Sequence, residues 1–216
     1  MDRTGRLPFI SSGAPSFNVQ RAMPSQPEAV SEPADAAVPP AALRASVVLV
    51  GLMGAGKTKV GRTLAKRLGV RFADADEAIV EAAGMTIPEI FQAHGEARFR
   101  ELERRVIARL LEEPPQVLAL GGGAFMDEST RERCRERGVT IWLHADLDTL
   151  VARTGRKKGT RPLLAEGDPR AKLQALMAVR DPVYALADLR VESGEAPAET
   201  VAQRIEDGLR ARGILA

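Results

Sequence analysis

Aromatic residues make up only 4% of this 216-residue chain, and cysteine occurs once, as Cys134. So few rings leave little surface on which nucleic-acid bases could stack. A lone cysteine closes no internal disulfide, and its setting, RERCRERG, reads as a polar helix face and not as a catalytic elbow. Nor does one sign of charge dominate. The 31 Lys plus Arg are set against 29 Asp plus Glu, so no basic field suited to a phosphodiester backbone is expected. No apolar run approaches the roughly 18 residues a membrane span requires, and the N-terminus lacks the basic-then-apolar order of a secretory signal. The expectation is a cytoplasmic, monomeric protein with no nucleic-acid and no membrane partner.

What is present divides unevenly along the chain. Residues 1–44 hold seven of the 14 prolines and show no apolar period, which predicts a disordered tail. Arg3, Arg6 and Arg21 would suit an organelle transit peptide, but Asp2, Glu28, Glu32 and Asp35 argue against one. Residues 45–216 then read as a single domain, for which 44% hydrophobic residues supply an ample core. Short apolar runs at 47–50, 71–73, 116–120, 139–143 and 188–191 read as strands. Helical patterns lie between them. Val60, Leu64 and Leu68 form one stripe that Gly69 ends; Thr86-Ile87-Pro88-Glu89 starts a helix; Phe99, Leu102, Val106 and Leu110 mark another, closed by Pro114 and Pro115. Strands joined by helical crossovers imply a parallel sheet covered on both faces, an α/β architecture whose ligands collect beyond the carboxyl ends of the strands.

Directly after the first strand, residues 51–58 read GLMGAGKT and satisfy G-x-x-x-x-G-K-[ST] without mismatch. Glycines let successive N–H groups turn inward on phosphate oxygens, and the helix that follows adds its positive dipole end. Lys57 can reach the β- and γ-phosphates, and the Thr58 hydroxyl is placed for Mg²⁺. After the second strand come Asp74 and Asp76, which an extended backbone would put on one side. One carboxylate could hold hydrated Mg²⁺ and the other accept a proton or hydrogen bond from an acceptor hydroxyl, although such a pair also caps helices. Residues 121–123 are all glycine, which lets a ligand press on bare backbone or simply makes a wide turn. Arg100 and Arg180 could clamp a small anion, and the basic stretch 153–162 reads as a closing loop over transferring phosphate.

In this order the pieces resemble shikimate kinases, within the nucleoside-monophosphate-kinase-like branch of P-loop folds. The resemblance runs from about residue 47 to 205 and rests on GxxGxGKT, Asp74-Ala75-Asp76, Phe99-Arg100 with Glu103, the triple glycine, Arg161-Pro162-Leu163-Leu164, and A-x-R-x-P-x-Y at 178–184. It implies a three-layer P-loop kinase fold with a five-stranded parallel sheet flanked by helices, plus a mobile lid at about 154–166. It also implies Mg²⁺- and ATP-dependent phosphorylation of the shikimate 3-hydroxyl, a step of aromatic amino acid biosynthesis. Gly54, Ala55, Gly56, Lys57, Thr58 and Lys59 would hold ATP, with Arg153 near the adenine and Arg161 reaching the phosphates from the lid. Thr58 would ligate Mg²⁺, assisted by Asp74 through water, while Asp76 would bind and orient the acceptor hydroxyl. Arg100, Arg180, Gly122 and Gly123 would hold shikimate. Lys59 stands where many members have Ser or Thr, and residues 193–197 replace a basic loop that some members carry. A kinase for another acid, such as gluconate, and a ligand-sensing module without turnover are the competing readings.

Overall fold

A computed structural model of the chain describes residues 43–155 and 168–215. The predicted tail is outside the described residues apart from positions 43 and 44. Five strands, β1 (Ser46–Val50), β2 (Phe72–Asp74), β3 (Val117–Ala119), β4 (Gly138–His144) and β5 (Leu189–Glu192), form one parallel sheet in the order β2-β3-β1-β4-β5. Register is continuous across the centre, with Val48 of β1 opposite Leu118 of β3 on one side and Thr140 of β4 on the other. All five β1 residues are buried, as a central strand covered on both faces requires.

Seven helices are described: α1 (Lys57–Leu68), α2 (Ala75–Ala83), α3 (Ile87–Glu112), α4 (Glu128–Arg137), α5 (Leu147–Gly155), α6 (Pro169–Tyr184) and α7 (Ala198–Ala211). α1 buries Val60, Leu64 and Leu68, the stripe expected from sequence, and ends at a left-handed Gly69. Thr86 and Glu89 form a reciprocal capping box at the start of α3. The two helices expected at 86 and around Phe99 are one segment broken at Gly95, whose φ of 75° and ψ of 173° interrupt the helix just before Arg98-Phe99-Arg100. Pro114 and Pro115 follow its end, as predicted. Among the described residues no helix is long and apolar enough to cross a membrane.

The topology fixes where a ligand can sit. The chain leaves β1 for one edge of the sheet through β2 and β3, then returns past β1 to β4 and β5. The switch of direction falls at the carboxyl end of β1, where an open α/β sheet offers its crevice.

Candidate active site

The loop leaving β1 is built for anions. Gly51, Gly54 and Gly56 have φ of 138°, 88° and 95°, in the region that excludes ordinary side chains, and a Cβ on Gly51 would lie 2.5 Å from the Leu143 carbonyl. Such a curl turns backbone N–H groups toward a common point. α1 begins at Gly56 with no side-chain cap and no acid in its first turn. By contrast Asp74, Thr86, Asp127 and Asp168 cap α2, α3, α4 and α6 with side-chain oxygens. The positive end of α1 is therefore left available to a phosphate. Lys57 lies back over the loop, donating from Nζ to the carbonyls of Gly51 at 2.7 Å and Leu52 at 3.2 Å.

Across from the loop, the Thr58 hydroxyl donates to Asp74 Oδ2 at 2.9 Å, while Asp74 Oδ1 accepts the Asp76 backbone N–H at 3.1 Å. A hydroxyl and a carboxylate side by side beside a phosphate loop are hard oxygen donors, the kind Mg²⁺ takes when most of its shell is water and phosphate. The Asp76 carboxylate opens to solvent, but protein crowds it on the remaining sides. That partial loss of water raises its pKa, the Asp74 charge raises it further, and Lys57 and Arg100 oppose both.

The triple glycine supports these groups. A Cβ on Gly121 would lie 2.6 Å from Asp76 Oδ1 and 3.1 Å from Glu103 Oε1; one on Gly122 would lie 3.3 Å from Arg180 Nη1; one on Gly123 would lie 2.8 Å from Arg100 Nη1. Three bare positions therefore admit two carboxylates and two guanidinium forks around a single turn. Arg180 Nη1 donates to the Gly122 carbonyl at 2.9 Å. Arg100 is held from its own helix, with Nη1 on Glu103 at 2.7 Å and Nη2 on Glu96 at 3.2 Å. Burial disfavours the Arg100 charge, yet the bonds to Glu103 and Glu96 outweigh it and raise its pKa. Glu103 is buried, and burial lifts its carboxyl pKa in spite of Arg100. On the far side of the phosphate loop, Arg153 donates from Nη1 to the Gly54 carbonyl at 3.2 Å and from Nη2 to the Ser193 carbonyl at 3.0 Å and to that of Gly194.

A sequence model of the shikimate kinase family matches residues 53–210. The chain belongs to the shikimate kinase family. Shikimate kinase of Cereibacter sphaeroides is 55% identical over 172 residues, covering 80% of this chain and 86% of the relative. That of Ruegeria pomeroyi is 56% identical over 173 residues, covering 80% and 88%. Among solved structures, shikimate kinase from Acinetobacter baumannii in complex with shikimate superposes with a TM-score of 0.74 at 40% identity, covering 78% of this chain and 94% of that one. Membership sets the reaction: ATP-dependent phosphorylation of shikimate, in aromatic biosynthesis.

Against this family background, most residues singled out in the sequence meet around one crevice: Gly54 to Thr58, Asp74, Asp76, Arg100, Gly122, Gly123 and Arg180. The geometry of the acidic pair differs from the expected extended segment. Asp74 ends β2 and caps α2, and Asp76 sits in the first turn of that helix. Helix initiation, not strand alternation, sets their spacing. The Lys59 side chain is exposed on α1. Arg161 and positions 156–166 of the expected lid fall outside the described residues, whereas Thr154 and Gly155 complete α5, with the Thr154 hydroxyl on the Leu150 carbonyl at 2.7 Å. Cys134 does lie on a helix, α4, but its thiol is buried, which pushes its pKa to about 12 and makes it inert. Two contributors were not assigned roles from sequence. Glu103 and Tyr184 appeared only as motif letters, because a buried partner of an arginine or a carbonyl has no composition of its own.

Proposed function

We propose that this shikimate kinase transfers the γ-phosphoryl group of ATP to the shikimate 3-hydroxyl, as a cytoplasmic monomer whose catalytic domain spans residues 45–216. One observation carries the division of labour: Asp76, Arg100 and Arg180 converge on the bare turn 121–123 beside an uncapped phosphate loop. The backbone from Gly54 to Lys59 and the Lys57 ammonium bind the ATP phosphates, and Lys57 neutralises charge on the transferring group. Arg153 borders the adenine, and Arg161, which lies outside the described residues, supplies a cation for the ATP phosphates. The Arg100 and Arg180 forks take the shikimate carboxylate, with Gly122 and Gly123 lining the pocket. Asp76 orients the 3-hydroxyl and accepts its proton; a carboxyl raised above its ordinary pKa is a better base than a fully solvated one.

Thr58 and Asp74 fit Mg²⁺, the hydroxyl as direct ligand and the carboxylate through water. Mg²⁺ held there would offset negative charge on the ATP phosphates. ADP release measured by a coupled assay with shikimate, gluconate and AMP tests the substrate. Turnover with shikimate alone is expected, and faster turnover with gluconate would overturn the reading. For the clamp, Arg100→Ala should raise the shikimate KM roughly tenfold or more and leave the ATP KM within twofold.

A further inference from the structure

Tyr184 is fully buried, yet its hydroxyl reaches the glycine turn. The ring packs against Phe125 and Trp142, with centroids 6.5 Å and 6.1 Å away, and the hydroxyl donates to the Gly122 carbonyl at 2.5 Å. Arg180 Nη1 donates to that same oxygen at 2.9 Å. Residues 180 and 184 are four apart on α6 and so leave one face of the helix, and a carbonyl with two lone pairs accepts both. Burial lifts the phenol pKa to about 12 against the pull of Arg180, so the group remains a donor throughout the working range. The turn it grips is wedged between two parts of the site. A Cβ on Gly122 would lie 3.3 Å from Arg180 Nη1 on one side, and 3.8 Å from the Gly51 carbonyl and 3.9 Å from the Met53 nitrogen on the other.

We infer that Tyr184 is a positioning residue for shikimate. Its hydroxyl pins the Gly122 carbonyl, and that carbonyl fixes the angle at which Arg180 presents its remaining N–H groups to the substrate carboxylate. With the hydroxyl gone, the oxygen keeps one donor, the peptide can rotate, and Arg180 follows it. The inference rests on Arg180 being part of the carboxylate clamp.

Tyr184→Phe, Arg180→Gln and the double variant separate the two ideas, with initial rates measured over shikimate and over ATP and with thermal melting. Tyr184→Phe keeps the ring and should raise the shikimate KM roughly three- to tenfold, the loss of one hydrogen bond, with kcat within twofold and the ATP KM unchanged. Arg180→Gln should raise it more, and the double variant should match Arg180→Gln, because the hydroxyl acts through the arginine. If Arg180→Gln raises the shikimate KM and Tyr184→Phe does not, the positioning role is wrong and the clamp stands. An unchanged shikimate KM in Arg180→Gln overturns the clamp and the inference with it. A Tyr184→Phe enzyme that melts lower and loses affinity for ATP and shikimate by the same factor has only lost packing, and this too overturns the role.

Discussion

Asp76 shows what an acceptor site costs the fold. Loss of water and the Asp74 charge raise its pKa above the ordinary 3.8, so the native state holds this proton more tightly than the unfolded chain does. Its contribution to stability is complete below that ordinary value and is lost as pH rises through the folded one. Asp76→Asn should therefore melt higher than the parent at pH 7, with the difference shrinking toward pH 4, while turnover falls by roughly 10²-fold or more. Melting curves across that range, beside a rate assay, check both halves. Gly123 makes a second test. Its φ of −101° suits alanine, but a Cβ there meets Arg100 Nη1 at 2.8 Å and Nη2 at 3.0 Å. The guanidinium is the softer party and must move. Gly123→Ala should keep its melting temperature within a few degrees and raise the shikimate KM roughly tenfold, the loss of a charge-assisted bond, as steady-state kinetics over shikimate would reveal.

Among the helices, α1 differs by what its first turn omits: no side-chain cap and no acid. Lys59→Glu places a negative charge at that end on an exposed position and should raise the ATP KM by about two- to fivefold, with the shikimate KM unchanged. Kinetics at low and high salt would check it, because screening should shrink the effect. The same helix was legible in the sequence, since glycine spacing, the Val60, Leu64 and Leu68 stripe and Gly69 are local patterns that need no partner. Strand positions were legible for the same reason, being continuous apolar runs between helical periods. The acidic pair was legible as chemistry but not as geometry, because the point at which the strand gives way to the helix, with Asp74 both ending β2 and capping α2, is settled by what packs around it. The reason for the triple glycine was hidden as well. Its neighbours are side chains from α2, α3 and α6, as far as 58 positions away in the case of Arg180 against Gly122. No local pattern encodes them.

At the scale of the whole molecule, α1 is tied to α7 through Arg67, which bonds Glu199, Gln203 and Glu206. The Glu206 side chain is only 5% exposed, whereas the pair that Arg62 of α1 makes with Glu77 of α2 is 60% and 65% exposed. Arg67→Met should cost about 1–3 kcal/mol by leaving a buried carboxylate with Arg210 alone. Arg62→Met should cost about 0–1 kcal/mol, and denaturant midpoints of the two variants would rank them. Leu43 pairs with Leu215 as an isolated antiparallel bridge, and the Arg44 N–H donates to the Ile214 carbonyl at 3.1 Å. A turn of two to four residues from 215 to 43 would make that bridge a hairpin. The domain is in effect a ring opened at one point, so its order of reading is separable from its shape. New ends cut between Pro114 and Pro115, exposed and at the amino-terminal ends of the parallel strands, away from the phosphate loop at their carboxyl ends, should yield a permuted chain that still releases ADP with shikimate.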